Sequence, residues 1–117
     1  MENNNLLTAL YRHYLIMKTF HFQTELAFRH TKVDTYLQSY LTNMDKLMEV
    51  IQGADGTVSI GRIAVVTEAA NDDNISAELQ QMVGVLEIER KRGQMISAII
   101  DQMQADIYQL SYLFTFK

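Results

Sequence analysis

The sequence predicts an all-α protein: a single domain over residues 1–117, folded as a four-helix bundle with a long crossover between helices 2 and 3. Three observations carry this. The chain has no Pro and only five Gly, which suits long uninterrupted helices, because Pro removes a backbone donor and clashes with the preceding turn. Four stretches carry apolar residues spaced alternately three and four apart, the mark of one buried helix face. Between the second and third stretches lies a less regular segment, residues 57–73, long enough to let its flanking helices run parallel. Hydrophobic residues make up 48% of the chain, enough for a core, and seven Met with no Trp suggest a core of flexible fillers.

The first helix is expected from about Asn4 to Phe22, with Leu10, Tyr14, Met17 and His21 facing inward at spacings of 4, 3 and 4. Thr24 is the expected cap of the second. That helix has the clearest period: Val33, Leu37, Tyr40, Met44, Leu47 and Ile51, with Gly53, followed by Ala54, Asp55 and Gly56, as its stop. Residues 60–66 fit a short helix, a buried loop or a strand. A lone strand has no partner, so a crossover with a short helix is favoured. Asp72, Asp73 and Asn74 have the acidic and polar character of a helix start. The third stripe is Ile75, Leu79, Met82 and Leu86. The fourth is Ile96, Ile99, Met103, Ile107, Leu110 and Phe114, with Gly93 as the turn between them; one long helix through Gly93 is the rival.

Charge and composition narrow the function classes. The chain has no Cys, which rules out disulfides and thiolate metal sites. Net charge is −4, which argues against phosphate backbones as partners. The cluster Arg90, Lys91 and Arg92 is expected to be a solvated helix end or turn. The segment Met1 to Asn5 has no basic n-region, and no apolar run approaches the roughly 20 residues that span a bilayer, so a cytoplasmic location with no membrane contact is expected.

The second helix carries the chemistry. His30 and Asp34 are four apart, and so are Asp45 and Glu49; on a helix each pair points from one face and can share an ion. An imidazole with carboxylates suits iron, manganese or zinc. At about 100° per residue this row lies a quarter to a third of a turn from the apolar stripe, so it flanks the core rather than entering it. The midpoints of the two pairs are separated by about 22 Å of helix, too far for one ion in one chain. Two copies crossing antiparallel near Gln38 to Leu41 would bring the His30 and Asp34 of one chain to the Asp45 and Glu49 of the other, giving two identical sites. His21, at the end of the first helix, can reach the same place. Two readings stand beside this. The row can be a solvated polar face, and His21 a helix-end His bonded to backbone.

These residues resemble the Dps family, the miniature ferritins. The motif His-x₃-Asp, ten residues, Asp-x₃-Glu reads here as His30, Asp34, Asp45 and Glu49, and His21-Phe22 looks like the family's His-Trp at the end of the first helix. The resemblance covers most of the chain, but only residues 21–49 are specific. More weakly, residues 57–70 look like the family's crossover segment, and Tyr112-Leu113-Phe114 like its aromatic and leucine cluster. It implies a ferritin-like bundle whose metal ligands are His21, His30 and Asp34 from one subunit, and Asp45 and Glu49 from its partner. It also implies a mono-iron or di-iron centre that oxidises Fe(II) with O₂ or peroxide and stores Fe(III). The expected assembly is a homo-oligomer with a two-fold interface along helix 2, the twelve-subunit cage of the family being one form it allows. The chain departs from the pattern in three ways. His21 and His30 are only nine apart, Phe22 replaces Trp, and the family's Lys-rich tail is missing, which argues against DNA binding. Its compactness is also similar to small ferritin-like proteins of bacteriophages. A rival reading is therefore a helical structural or interaction protein, such as a phage assembly component, that keeps a vestigial site.

Of the remaining candidates, His13 falls off the inward stripe and is expected at the surface. Tyr36 and Tyr40 could relay electrons, though packing is the commoner role of an interfacial Tyr. The stripe Met residues are expected in the core. Glu25 and Asp101 are expected to be exposed, where either could line an iron path.

Overall fold

The computed structural model describes residues 2–64 and 67–116, with side chains from Leu6 onward. It is all-helical, with four α-helices and no strand among the described residues: α1 (Glu2–Gln23), α2 (Ala27–Asp55), α3 (Ile75–Ile88) and α4 (Gln94–Leu113). Single 3₁₀ turns occupy Thr67–Ala70 and Glu89–Arg92. The 29 residues of α2, at about 1.5 Å each, match the 43 Å long dimension of the molecule.

The helices touch in a ring. α1 packs on α2, α2 on α4, α4 on α3, and α3 on α1, with no close backbone approach across either diagonal among the described residues. Hydrogen bonds show which ends meet. Arg29, at the start of α2, donates to the Asp72 carbonyl just before α3 (3.1 Å) and to the Phe114 carbonyl just after α4 (3.1 Å). Thr24, just after α1, donates to Asp72 at 2.8 Å. At the other end Arg92 reaches Asp55, the last residue of α2, at 3.2 Å. So α2 and α3 start at one end and finish at the other, while α1 and α4 run opposite to them.

The core follows the stripes of α2, α3 and α4 as read from sequence: every residue assigned to those three is buried. Burying a large aliphatic or aromatic side chain contributes about 1.5–3 kcal/mol, so these rows hold the ring closed. Five of the Met side chains are core, but Met95 is 70% exposed.

The first helix corrects the sequence reading. Its buried row is Leu6, Leu10, His13, Met17 and Phe20, at spacings of 4, 3, 4 and 3, joined by Ile16 and His21. Tyr14 is only half-buried. His13, expected at the surface, is wholly buried, because it finds polar partners on α2 and α3. Thr24 is not the cap of α2: that helix begins after Leu26, and the Thr24 hydroxyl accepts from the Leu26 N–H while bonding Asp72. Of the expected stop, Gly53 to Gly56, it is the last residue and not the first that ends α2. The helix runs on to Asp55 and stops at Gly56, whose φ of 88° only Gly adopts readily.

Residues 57–64 form neither helix nor strand, so the short helix favoured for residues 60–66 is not found over 60–64; a 3₁₀ turn lies just beyond it, at Thr67–Ala70. The expectation for Val65 and Val66 lies outside the described residues. Gly93 does break the chain between α3 and α4, at φ 137°. The basic cluster at this turn is a clamp rather than a solvated end. Arg90 bonds Glu87, Asp101, Gln104 and Ser97, and Arg92 bonds Glu89 and Asp55. Arg92 thereby ties the α3–α4 turn to the end of α2.

Candidate functional site

The short link between α1 and α2 brings His21 and His30 face to face. Their rings are parallel to within 18°, with centroids 4.0 Å apart. His21 Nδ1 bonds the His30 carbonyl at 2.9 Å, and His30 Nδ1 bonds the His21 carbonyl at 2.6 Å. A carbonyl only accepts, so each Nδ1 carries the hydrogen, and in the neutral ring Nε2 keeps its lone pair. Neither Nε2 has a hydrogen-bond partner among the described residues. Donating one nitrogen to a carbonyl and presenting the other is the arrangement of imidazoles that bind metals, because it fixes both tautomer and ring orientation. His21 is buried against the edge of Phe22, while His30 is exposed.

The carboxylates lie further along the same side of α2. Asp34, Gln38, Leu41, Asp45 and Glu49 follow one another at spacings of 4, 3, 4 and 4, which is one helical face. Asp34 is half-buried, and Asp45 and Glu49 are exposed. Asp45 and Glu49 border a groove of about 270 Å³ whose far wall is Leu7 and Tyr11 of α1. The outer face of α1 continues it, with Tyr11, Leu15 and Phe22 in another helical row. Tyr11, Leu15, Phe22 and Leu41 are 41%, 39%, 70% and 43% exposed, so the side that carries the ligand row also presents large apolar side chains to solvent. Within one chain, among the described residues, no group of three or more His, Asp or Glu is placed to hold a metal. The structure therefore joins His21 to His30 but does not add Asp34 to them as a third ligand, and Asp45 and Glu49 stay apart.

Glu25 and Asp101 are both exposed, and Asp101 is engaged by Arg90 at 2.6 Å. Tyr36 and Tyr40 face the interior and pack against each other, with centroids 5.9 Å apart.

A second polar cluster, unforeseen from sequence, sits inside the ring. His13 Nδ1 meets Glu78 Oε2 at 2.7 Å, and His13 Nε2 meets the Tyr36 hydroxyl at 2.7 Å. Arg12 bonds the other Glu78 oxygen at 3.1 Å. Burial pushes His13 down from its ordinary 6.5, and this outweighs the upward pull of the Glu78 hydrogen bond and charge, so the imidazole is neutral. Burial alone would raise Glu78, but its bonds to His13 and Arg12 more than offset that and hold it below the ordinary carboxylate value. Burial and the nearby Asp106 and Glu78 charges push the Tyr36 phenol far up, so it stays protonated. One proton arrangement fits: Tyr36 O–H donates to Nε2, and Nδ1–H donates to Glu78. The signal was present in the sequence only as spacing: His13 lies at helical spacing from Leu10 and Met17, and Glu78 from Ile75 and Met82, all of them buried.

No family model, no curated protein and no solved structure matches this chain.

Proposed function

We propose that this chain is a Dps-like, ferritin-like iron protein: Fe(II) is its substrate, bound between two copies and oxidised by O₂ or peroxide to Fe(III) for storage. The observation that carries this reading is the reciprocal locking of His21 and His30, which leaves an Nε2 donor on each ring. Two imidazoles with carboxylates form a donor set suited to iron, with manganese and zinc as competitors. The order of the helix ends agrees with it. An up-down-down-up bundle with residues 56–74 as a long crossover is the ferritin-like arrangement.

In this reading the apolar α1–α2 face is the two-fold interface. His21, His30 and Asp34 of one chain meet Asp45 and Glu49 of the other, which accounts for the lack of a complete ligand group among the described residues of one chain. The histidines hold Fe(II) in a fixed orientation, and the carboxylates favour the higher charge of Fe(III).

The test is aerobic addition of Fe(II) to the protein and to an Asp45→Ala/Glu49→Ala variant, following ferric absorbance against a protein-free control. Both positions are exposed, so the variant should keep the helical content of the parent. The protein should oxidise iron at least about ten times faster than the variant. Equal traces would end the ferroxidase reading. They would favour instead a helical interaction protein, for which the exposed cap of Leu26, Phe28, Tyr112 and Phe116 at the start of α2 and end of α4 is a docking surface.

A further inference from the structure

The metal reading makes no use of the polar cluster inside the ring, yet that cluster joins a phenol to a base. We propose that Tyr36 is a redox-active tyrosine, whose phenolic proton passes to His13 as the ring gives up one electron.

Two neighbouring tyrosines differ in what accepts their phenolic hydrogens. Both are buried, one helical turn apart on α2. Tyr40 donates its O–H to the Leu10 carbonyl at 2.7 Å. A carbonyl oxygen is a good hydrogen-bond acceptor but a very weak base, so an oxidised Tyr40 has nowhere to send its proton. Tyr36 donates to an imidazole nitrogen at 2.7 Å. Imidazole is a base, and here it is backed by Glu78 at 2.7 Å, which is itself backed by Arg12 at 3.1 Å.

Tyr36 loses one electron to an outer-sphere one-electron oxidant. Its O–H bond breaks, and the proton forms a new N–H bond at His13 Nε2. The products are a neutral phenoxyl radical, an imidazolium paired with Glu78, and the reduced oxidant. A returning electron sends the proton back to the phenolic oxygen. Generating the radical with the proton retained on oxygen would leave a cation on a buried ring, which burial penalises heavily. Handing the proton to His13 places the charge beside a carboxylate instead. Tyr36 also lines a groove of about 250 Å³ between α2 and α4, together with Ser39 and Asp106, so an electron acceptor can approach one side of the ring while His13 takes the proton on the other. None of this requires a metal.

The experiment is done on metal-free protein, so its outcome is separate from that of the iron test. A photogenerated ruthenium(III) tris-bipyridine complex serves as oxidant, and the radical is followed by electron paramagnetic resonance. The exposed Tyr11, Tyr108 and Tyr112 should give short-lived signals in every sample. Beyond these, the parent protein should show a long-lived tyrosyl signal. Tyr36→Phe should abolish it, and Tyr40→Phe should leave it. His13→Gln, which keeps a hydrogen-bonding side chain but removes the base, should slow its formation at least about a hundred-fold. Electron–nuclear double resonance of the parent in D₂O should find one exchangeable deuteron hydrogen-bonded to the phenoxyl oxygen, a readout that holds even if the His13 variant folds poorly. A long-lived signal that survives Tyr36→Phe, one lost in Tyr40→Phe, or a parent with only the short-lived signals would overturn the proposal.

Discussion

Glu78→Ala should destabilise the fold by about 3–5 kcal/mol, more than any other polar substitution in this chain, because it strips two buried partners at once. The Glu78 carboxylate meets His13, which is wholly buried, and Arg12, which is mostly so. Without it the guanidinium loses its counter-charge and the imidazole N–H loses its acceptor. Glu78→Gln keeps one acceptor oxygen and the shape, so it should cost about 1–3 kcal/mol, the penalty of one poorly satisfied buried group. Urea unfolding of the two variants measures the difference, and equal losses would show that the acceptor and shape kept by Gln contribute nothing without the charge of Glu78.

Acid should act on the same cluster, and in one direction. His13 is held below its ordinary 6.5, first by burial. The unfolded chain therefore takes up a proton that the folded chain resists, so this contribution is complete above about pH 6.5 and is lost as pH falls through the lowered value. Glu78 also lies below its ordinary 4.5 when folded. Its contribution is complete above about pH 4.5 and is lost as pH falls through its lowered value. The urea midpoint should thus be flat above neutral pH and fall on acidification. A midpoint that rises below pH 6.5 would mean that the buried imidazole is charged.

How far the sequence could be read depended on where each residue finds its partner. The stripes of α2, α3 and α4 were legible because their apolar residues decide burial by themselves. On α1 the choice lay between His13 and Tyr14, adjacent polar aromatics about 100° apart, and Glu78, on another helix, decides it. Thr24 was read as a local cap, but its hydroxyl bonds Asp72 across the end of the bundle. The stretch Gly53 to Gly56 marks the end of α2, but a Gly inside a helix costs only about 1 kcal/mol, so the helix passes Gly53 and stops at Gly56. The clamp of Arg90 and Arg92 was hidden because Asp55, Asp101 and Gln104 lie far from it in the chain. At the candidate site the ligand types and spacings were legible. The mutual bonds of His21 and His30 were not, since they depend on a turn whose path spacing alone does not give.

The second large effect follows from a site divided between chains. Two variants are inactive for opposite reasons in that arrangement. His21→Ala/His30→Ala lacks the imidazoles but keeps Asp45 and Glu49; Asp45→Ala/Glu49→Ala lacks those carboxylates but keeps the imidazoles. Neither can build a complete site with copies of itself. When the two are unfolded together and refolded, half of the dimers should contain one of each. In such a dimer one site draws every ligand from intact positions, and the other has lost both sets. Aerobic Fe(II) oxidation by the mixture should therefore recover to about a quarter of the parent rate, while each variant refolded alone stays at the protein-free background. A mixture no faster than its separate components, with circular dichroism showing both folded, would contradict a metal site shared between two subunits.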